Sequence, residues 1–280
     1  MPAATIMIQG TTSSAGKSLL CAGLCRLFHQ DGFRVAPFKA QNMSTKSAMT
    51  AGGGEISVSQ AFQAIAAKVE PTVDMNPILL KPLGDMTSEI ILAGKSIGQI
   101  YAAEYRDKYV GVALECIERS YHRLAAEYEI VVIEGAGSPA EVNLKDRDIC
   151  NMRIARMADA PVLLVANIDP GGALAAIVGT LELLDADEQD RVKGLVINKF
   201  RGDFSLLAPG LDFLEKRTGK PVLGVIPYIR DLAIVEEDSL GGRSGLSMDD
   251  ISTLDAECDR LAAVVRDALD IDELFGIMGL

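Results

Sequence analysis

Histidine is nearly missing from this chain of 280 residues: His29 and His122 are the only two. A nucleophilic triad needs a histidine oriented beside a serine or cysteine. Both histidines fall in helical patterns with surface-like neighbours, so glutamine hydrolysis, peptidase and esterase chemistry are not expected. Positive charge is also in short supply, with 27 Lys and Arg against 39 Asp and Glu. That excludes nucleic acid as a main partner, because a phosphate backbone needs a basic face. A small anionic substrate needs only a local basic pocket. No apolar run reaches about eighteen residues, so no segment is expected to span a membrane. The start, Met1-Pro2-Ala3-Ala4-Thr5, carries no charge before its short apolar stretch and does not read as a signal peptide. The cytoplasm is the expected compartment. Cys21, Cys25, Cys116, Cys150 and Cys258 show no metal-ligand pairing with histidine. Their odd number fits reduced, mostly structural thiols.

Hydrophobic residues make up 49% of the chain, ample for a sizeable core. Apolar runs of strand length (5–9, 34–38, 130–133, 161–166, 194–198, 222–226) alternate with helical patterns (17–30, 56–68, 98–127, 148–158, 172–184, 205–218). This predicts an α/β fold: a mostly parallel sheet with helices on both faces and ligands at the strand C-terminal edge. Stretches 39–55 and 71–96 break the alternation and read as long functional loops, with one strand at Glu89-Ile90-Ile91-Leu92. Residues 236–248 read as a linker. It divides a domain over 1–235 from a helical tail over 249–280, where Leu254, Cys258, Leu261, Val264, Val265 and Leu269 recur at helical spacing. That tail is expected to dock on this domain, on a second copy as a homodimer contact, or on a partner.

The most informative stretch is Gly10-Thr11-Thr12-Ser13-Ser14-Ala15-Gly16-Lys17-Ser18, between the run Thr5-Ile6-Met7-Ile8 and an amphipathic helix. Strand, glycine-bearing loop ending in Gly-Lys-Ser, then helix is the context of a phosphate-binding loop. Its backbone N–H groups and the helix N-terminus face an anion. Lys17 would reach the terminal phosphates of ATP, and the Ser18 hydroxyl would ligate Mg²⁺. Glu134 ends the buried run Ile130-Val131-Val132-Ile133, where a second Mg²⁺ contact or a water-positioning carboxylate belongs. Asn198 ends another strand; its amide can read an adenine edge, or it is turn chemistry. Lys39, Gln41 and Asn42 follow the second strand. Lys39 is either a solvated lysine or a partner for a substrate carboxylate or phosphate. Glu55, after a glycine triplet, is a helix-start carboxylate, or a metal or substrate contact if its loop folds inward. Asp146 lies in a dense run of alternating charge just beyond Glu134, either a solvated face or the border of the same pocket.

The loop has threonines, not lysine, near its start, unlike septum-site and partition ATPases. With Glu134-Gly135-Ala136-Gly137 it resembles the dethiobiotin synthetase-like ATP-dependent ligases. The segments PFKAQNMS, DMNPILLKP, EGAGSPAEVNLKDRDI, NIDPGGALAAIVGT and LVINKFRGD closely resemble the ATPase half of the cobyric acid synthase family. That resemblance implies ATP-dependent amidation of the b, d, e and g carboxylates of adenosylcobyrinic acid a,c-diamide through acyl phosphates. It places Gly10 to Ser18 and Asn198 on ATP and Ser18 with Glu134 on Mg²⁺. Lys39, Gln41 and Asn42 would face substrate, and Asp146 the second metal or the acyl-phosphate step. The family continues into a glutamine amidotransferase domain, in whose place the linker 236–248 stands here. Ammonia is therefore expected free or from a separate glutaminase subunit. Two other readings stay open at this stage: a nucleotide-dependent regulatory or assembly ATPase, and a ligase acting on another carboxylate.

Overall fold

A computed structural model describes residues 3–101, 104–105, 109–230 and 251–280. Six strands form a wholly parallel sheet: β1 (Ala4–Gly10), β2 (Val35–Phe38), β9 (Ile130–Glu134), β10 (Val162–Asn167), β11 (Val192–Phe200) and β12 (Val222–Pro227). Their spatial order is β12-β11-β10-β1-β9-β2. Successive side chains on a strand face opposite sides. Met7, Phe38, Val131, Ile133 and Leu164 enter one core, whereas Ile6, Ile8, Val132, Leu163 and Val165 enter the other. Both faces are dry, which is why these strands read as unbroken apolar runs.

The first core is covered by helices α3 (Val110–Glu127), α4 (Met152–Met157), α5 (Ala173–Leu183) and α7 (Phe204–Thr218). The second is covered by α1 (Lys17–Gln30), α2 (Val58–Ala66), α8 (Ile251–Ala268) and α9 (Ile271–Met278). A short helix, α6 (Ala186–Arg191), starts from an Asp185–Glu188 capping box and ends at β11. The α/β architecture is the one expected from the alternation of patterns. Among the described residues, no helix is long and apolar enough to cross a membrane.

Three expectations are corrected. The stretches 39–55 and 71–96, expected as loops apart from a strand at 89–92, build a second sheet and a hairpin, and the expected strand is part of that sheet. The sheet is β3 (Gln41–Met43), β6 (Ile78–Gly84), β7 (Thr87–Leu92) and β8 (Lys95–Tyr101), and the hairpin is β4 (Ser47–Met49) with β5 (Glu55–Ser57). The helical pattern placed at 98–127 therefore begins within strand β8, and α3 occupies Val110–Glu127 of it. β8 is exposed at every position but Ile100, so backbone pairing with β7 holds it and burial leaves little alternation to read. The pattern at 148–158 shortens to α4, because the Asp148 carboxylate accepts hydrogen bonds from the N–H groups of Cys150 and Asn151 (2.8 Å each) and holds them in a turn ahead of Met152.

The tail docks on this domain. Leu254, Cys258, Leu261 and Val265 of α8 pack against α1. Buried Arg26 of α1 binds Asp255 (2.6 Å) and Asp259 (3.1 Å) and the carbonyl of Ala66 (2.7 Å). The proposed linker at 236–248 lies outside the described residues. At the end of α8 the backbones nearly touch: a Cβ on Gly224 would sit 2.0 Å from the Ala268 carbonyl oxygen. Gly224→Val is therefore expected to undock the tail and expose 251–280 to limited proteolysis while the sheet stays resistant. Wild-type cleavage rates in this variant would contradict that account of the docking.

Candidate active site

β1 lies between β10 and β9, so the loop after Gly10 emerges at the middle of the sheet's C-terminal edge. Thr11 N–H still bonds the Val165 carbonyl (2.9 Å), Ser13–Ala15 make one 3-10 turn, and Gly16 turns the chain into α1 at φ 86°. No side chain fits at Gly16: a Cβ there would meet Asn198 Nδ2 at 2.3 Å. Lys17 is buried and curls back over the loop. Its Nζ donates to the carbonyls of Thr12 (3.0 Å), Ser13 (3.1 Å) and, across the site, Gly137 (3.3 Å).

Glu134, at the end of β9, is the electrostatic centre. Ser18 Oγ donates to its Oε1 (2.7 Å), and Lys39 Nζ lies 2.8 Å from the same oxygen. Gln63 Nε2 reaches Oε2 at 2.6 Å. Burial alone would raise this carboxyl. The Lys39 ammonium and the hydrogen bonds from Lys39, Ser18 and Gln63 outweigh it and hold the group below the usual carboxylate range. The Ser18 hydroxyl and the Glu134 carboxylate are adjacent hard oxygens, the donor type Mg²⁺ takes. Among the described residues no cluster of three or more His, Cys, Asp or Glu could hold a metal. A cation here would draw its other ligands from phosphate and water, the habit of Mg²⁺ in phosphate-transfer sites.

A pocket of about 240 Å³ is lined by Ser13, Ser14, Gly16, Lys17, Ser18, Lys39, Asn42 and Glu134. It shares Met43, Ala136 and Gly137 with a larger cavity of about 870 Å³. One wall of that cavity is the small sheet, with Gln41, Leu80, Ser88, Ile90 and Ile100; the other is the segment from Ser138 to Arg153.

Most of the residues singled out from sequence meet at these two cavities. Lys39 is not solvated, being 6% exposed and paired with Glu134. Asn42 is buried, donates to Ser59 Oγ (3.2 Å) and lines the smaller pocket. Gln41 accepts from the Tyr105 hydroxyl (2.7 Å) at the larger cavity. Asp146 is exposed on a 3-10 turn, Val142–Arg147, at the same cavity. Glu55 lies in neither lining: it sits on β5, where its carboxylate binds Lys81 and the Ser47 hydroxyl. Asn198 stands against the loop with its amide engaged on both sides. Nδ2 donates to the Ala15 carbonyl (2.8 Å) and Oδ1 accepts from Lys199 N–H (2.8 Å).

Four residues escaped the sequence reading. Gln60 and Gln63 of α2 surround Glu134, and inward glutamines one helical turn apart among Ala61, Phe62 and Ala64 were their only signal. Asn167 ends β10 beside Asn198 in register and donates to the Ser14 carbonyl (3.3 Å), so the two asparagines brace consecutive loop carbonyls. Lys199 holds a left-handed backbone at φ 62°, which costs a residue with a Cβ about 1–2 kcal/mol. Lys199→Gly is accordingly expected to be more stable than Lys199→Ala by about 1 kcal/mol in urea denaturation. Both variants lose the same side-chain contacts, so equal stabilities would contradict the strain.

A central parallel strand feeding a glycine-bearing loop, a buried lysine and a hydroxyl at the start of the next helix, and an acidic strand end beside them define a phosphate-loop nucleotide-binding protein. Residues 4–235 match the family model described as AAA domain, and the chain belongs to that family. Cobyric acid synthase of Sorangium cellulosum (strain So ce56) is 60% identical over 240 residues, 86% of this chain and 46% of that protein. That of Pelotomaculum thermopropionicum is 59% identical over 238 residues, 85% of this chain and 45% of that protein. The chain thus spans about half the length of the curated relatives it matches, and the resemblance to the ATPase half of cobyric acid synthase is the one they bear out. Among solved structures, the signal recognition particle receptor FtsY from Elizabethkingia anophelis overlays with a TM-score of 0.48 at 17% identity, covering 92% of this chain and 66% of that one.

Proposed function

We propose that this chain uses ATP to activate peripheral carboxylates of a corrinoid, adenosylcobyrinic acid a,c-diamide, for amidation at positions b, d, e and g. The observation that carries this reading is the shared wall: the pocket of about 240 Å³ at the phosphate loop has Met43, Ala136 and Gly137 in common with a cavity of about 870 Å³, room for a bulky polycarboxylate. The relatives' printed name, cobyric acid synthase, supports the substrate class.

In this mechanism the loop N–H groups and Lys17 hold the phosphates of ATP. Ser18 and Glu134 would hold a magnesium ion, which neutralises phosphate charge when bound. Lys39 keeps Glu134 ionised, and Asn42 and Gln41 line the path of the incoming substrate carboxylate. A carboxylate oxygen attacks the γ-phosphorus and ADP leaves, giving an acyl phosphate. Ammonia, free or from a separate glutaminase, then attacks the carbonyl carbon, and inorganic phosphate departs to leave the amide. Asp146 borders the cavity in which this second step would occur. Positioning and charge neutralisation suffice for such phosphoryl transfer, and no histidine is needed.

The test is direct incubation of the purified chain with Mg-ATP, ammonium and the a,c-diamide. Products should fall in a series, each about one mass unit lighter per carboxyl converted to carboxamide, with one ADP and one phosphate released per step. No mass change with ammonium, or with glutamine and a glutaminase, would refute the proposal.

A further inference from the structure

Helix α2, capped by Ser57, turns Gln60 and Gln63 inward, and all three residues are fully buried. Two buried amides in a helix otherwise lined by Ala61, Phe62, Ala64 and Ala66 are costly, since a buried polar group stabilises only when its hydrogen bonds are made. Gln60 even leaves its Oε1 without a hydrogen-bond partner. Packing alone would favour leucine or methionine at both positions.

The geometry points to what the amides hold. Gln63 Nε2 bridges Glu134 Oε2 (2.6 Å) and the Ser18 backbone carbonyl (3.2 Å). It therefore ties the carboxylate at the end of β9 to the first turn of α1, whose Ser18 hydroxyl is the other oxygen of the site. Gln60 Nε2 in turn donates to Gln63 Oε1 (3.0 Å) and lies 3.4 Å from Glu134 Oε2. One carboxylate oxygen is thus held by Ser18 and Lys39 and the other by the two glutamines, so the plane of the group is fixed from both sides. The same helix also meets the substrate side, where Ser59 Oγ accepts from Asn42.

We propose that Gln63 is a positioning residue for the cation site, setting the spacing of the Ser18 hydroxyl and the Glu134 carboxylate, and that Gln60 locks Gln63 in place. The proposal rests on the reading that these two oxygens hold the Mg²⁺ that accompanies ATP. Partners that orient metal-binding groups typically contribute 10–100-fold to metal affinity.

The experiment titrates ATP into the full chain by calorimetry across a range of Mg²⁺ concentrations and in EDTA. The proteins are wild type, Gln63→Met, Gln60→Met and, as a packing control on the same helix, Phe62→Leu. Gln63→Met should raise the Mg²⁺ concentration for half-maximal tightening of ATP by roughly 10–100-fold and leave ATP affinity in EDTA unchanged. Gln60→Met should shift it in the same direction by less, and it keeps the proposal testable if Gln63→Met does not fold. Phe62→Leu should lower the melting temperature with no change in Mg²⁺ dependence. Wild-type Mg²⁺ dependence in both glutamine variants, or an equal loss of affinity with and without Mg²⁺, would overturn the positioning role alone. ATP binding by wild type that ignores Mg²⁺ would overturn the cation site itself.

Discussion

Lys39→Met is expected to cost about 3–5 kcal/mol of folding stability, because it leaves the Glu134 carboxylate buried without its counter-charge. Glu134 is 1% exposed and its salt bridge with Lys39 is 2.8 Å long. Such a pair need not outperform an apolar core, but breaking it from one side is expensive. The pH dependence follows from the direction of the shift. In wild type the folded carboxyl titrates below its ordinary value, so its contribution is present above the unfolded pKa and is lost as pH falls through the folded one. Without Lys39 the effect of burial prevails and the carboxyl is raised. The variant's deficit is then largest near neutral pH and shrinks in acid, as protonation removes the unpaired charge. Urea denaturation at two pH values measures both effects. Lys39→Met/Glu134→Gln should recover more than half of the loss at neutral pH. A deficit below about 1 kcal/mol, or one that grows in acid, would contradict a buried ion pair.

Lys17→Met is expected to act on turnover. Lys17 is as buried as Lys39, but its ammonium faces the backbone carbonyls of Thr12, Ser13 and Gly137, with no carboxylate among those contacts. What is lost is a cation held over the loop, ready to exchange carbonyl oxygens for phosphate oxygens with little reorganisation. Deleting one such preorganised donor typically slows turnover by about 10²–10³-fold. Steady-state phosphate release should fall by that factor. Turnover within about 2-fold of wild type would remove Lys17 from the phosphoryl-transfer step.

The contrast between the two lysines marks how far the sequence can be read. Lys17 declared itself through its neighbours, since strand, loop and helix are local patterns and Gly16-Lys17-Ser18 falls at their junction. Lys39 looked equally able to be solvated, because its partner lies 95 residues away on β9. The six parallel strands were legible as apolar runs because both faces of that sheet are buried. Of the second sheet only β7 was legible, as the strand at Glu89–Leu92; β3 has three residues and β8 is mostly exposed, and the hairpin strands β4 and β5 also have three residues each, leaving no period to detect. Glu55 was drawn towards the site by its glycine triplet, yet the hairpin points it at Lys81. Gln60 and Gln63 stayed hidden for a related reason: an inward glutamine resembles an outward one until its partner is known.

In the proposed reaction, ATP held at the phosphate loop donates its γ-phosphoryl group to a substrate carboxylate. This step is tested most directly with the a,c-diamide carrying ¹⁸O in its peripheral carboxylates, incubated with Mg-ATP and an ammonia source. An acyl phosphate requires that each amide formed leave one carboxylate oxygen behind on the released phosphate. One ¹⁸O per phosphate, matched to the amide count, is the predicted result. Amide formation with unlabelled phosphate would contradict it.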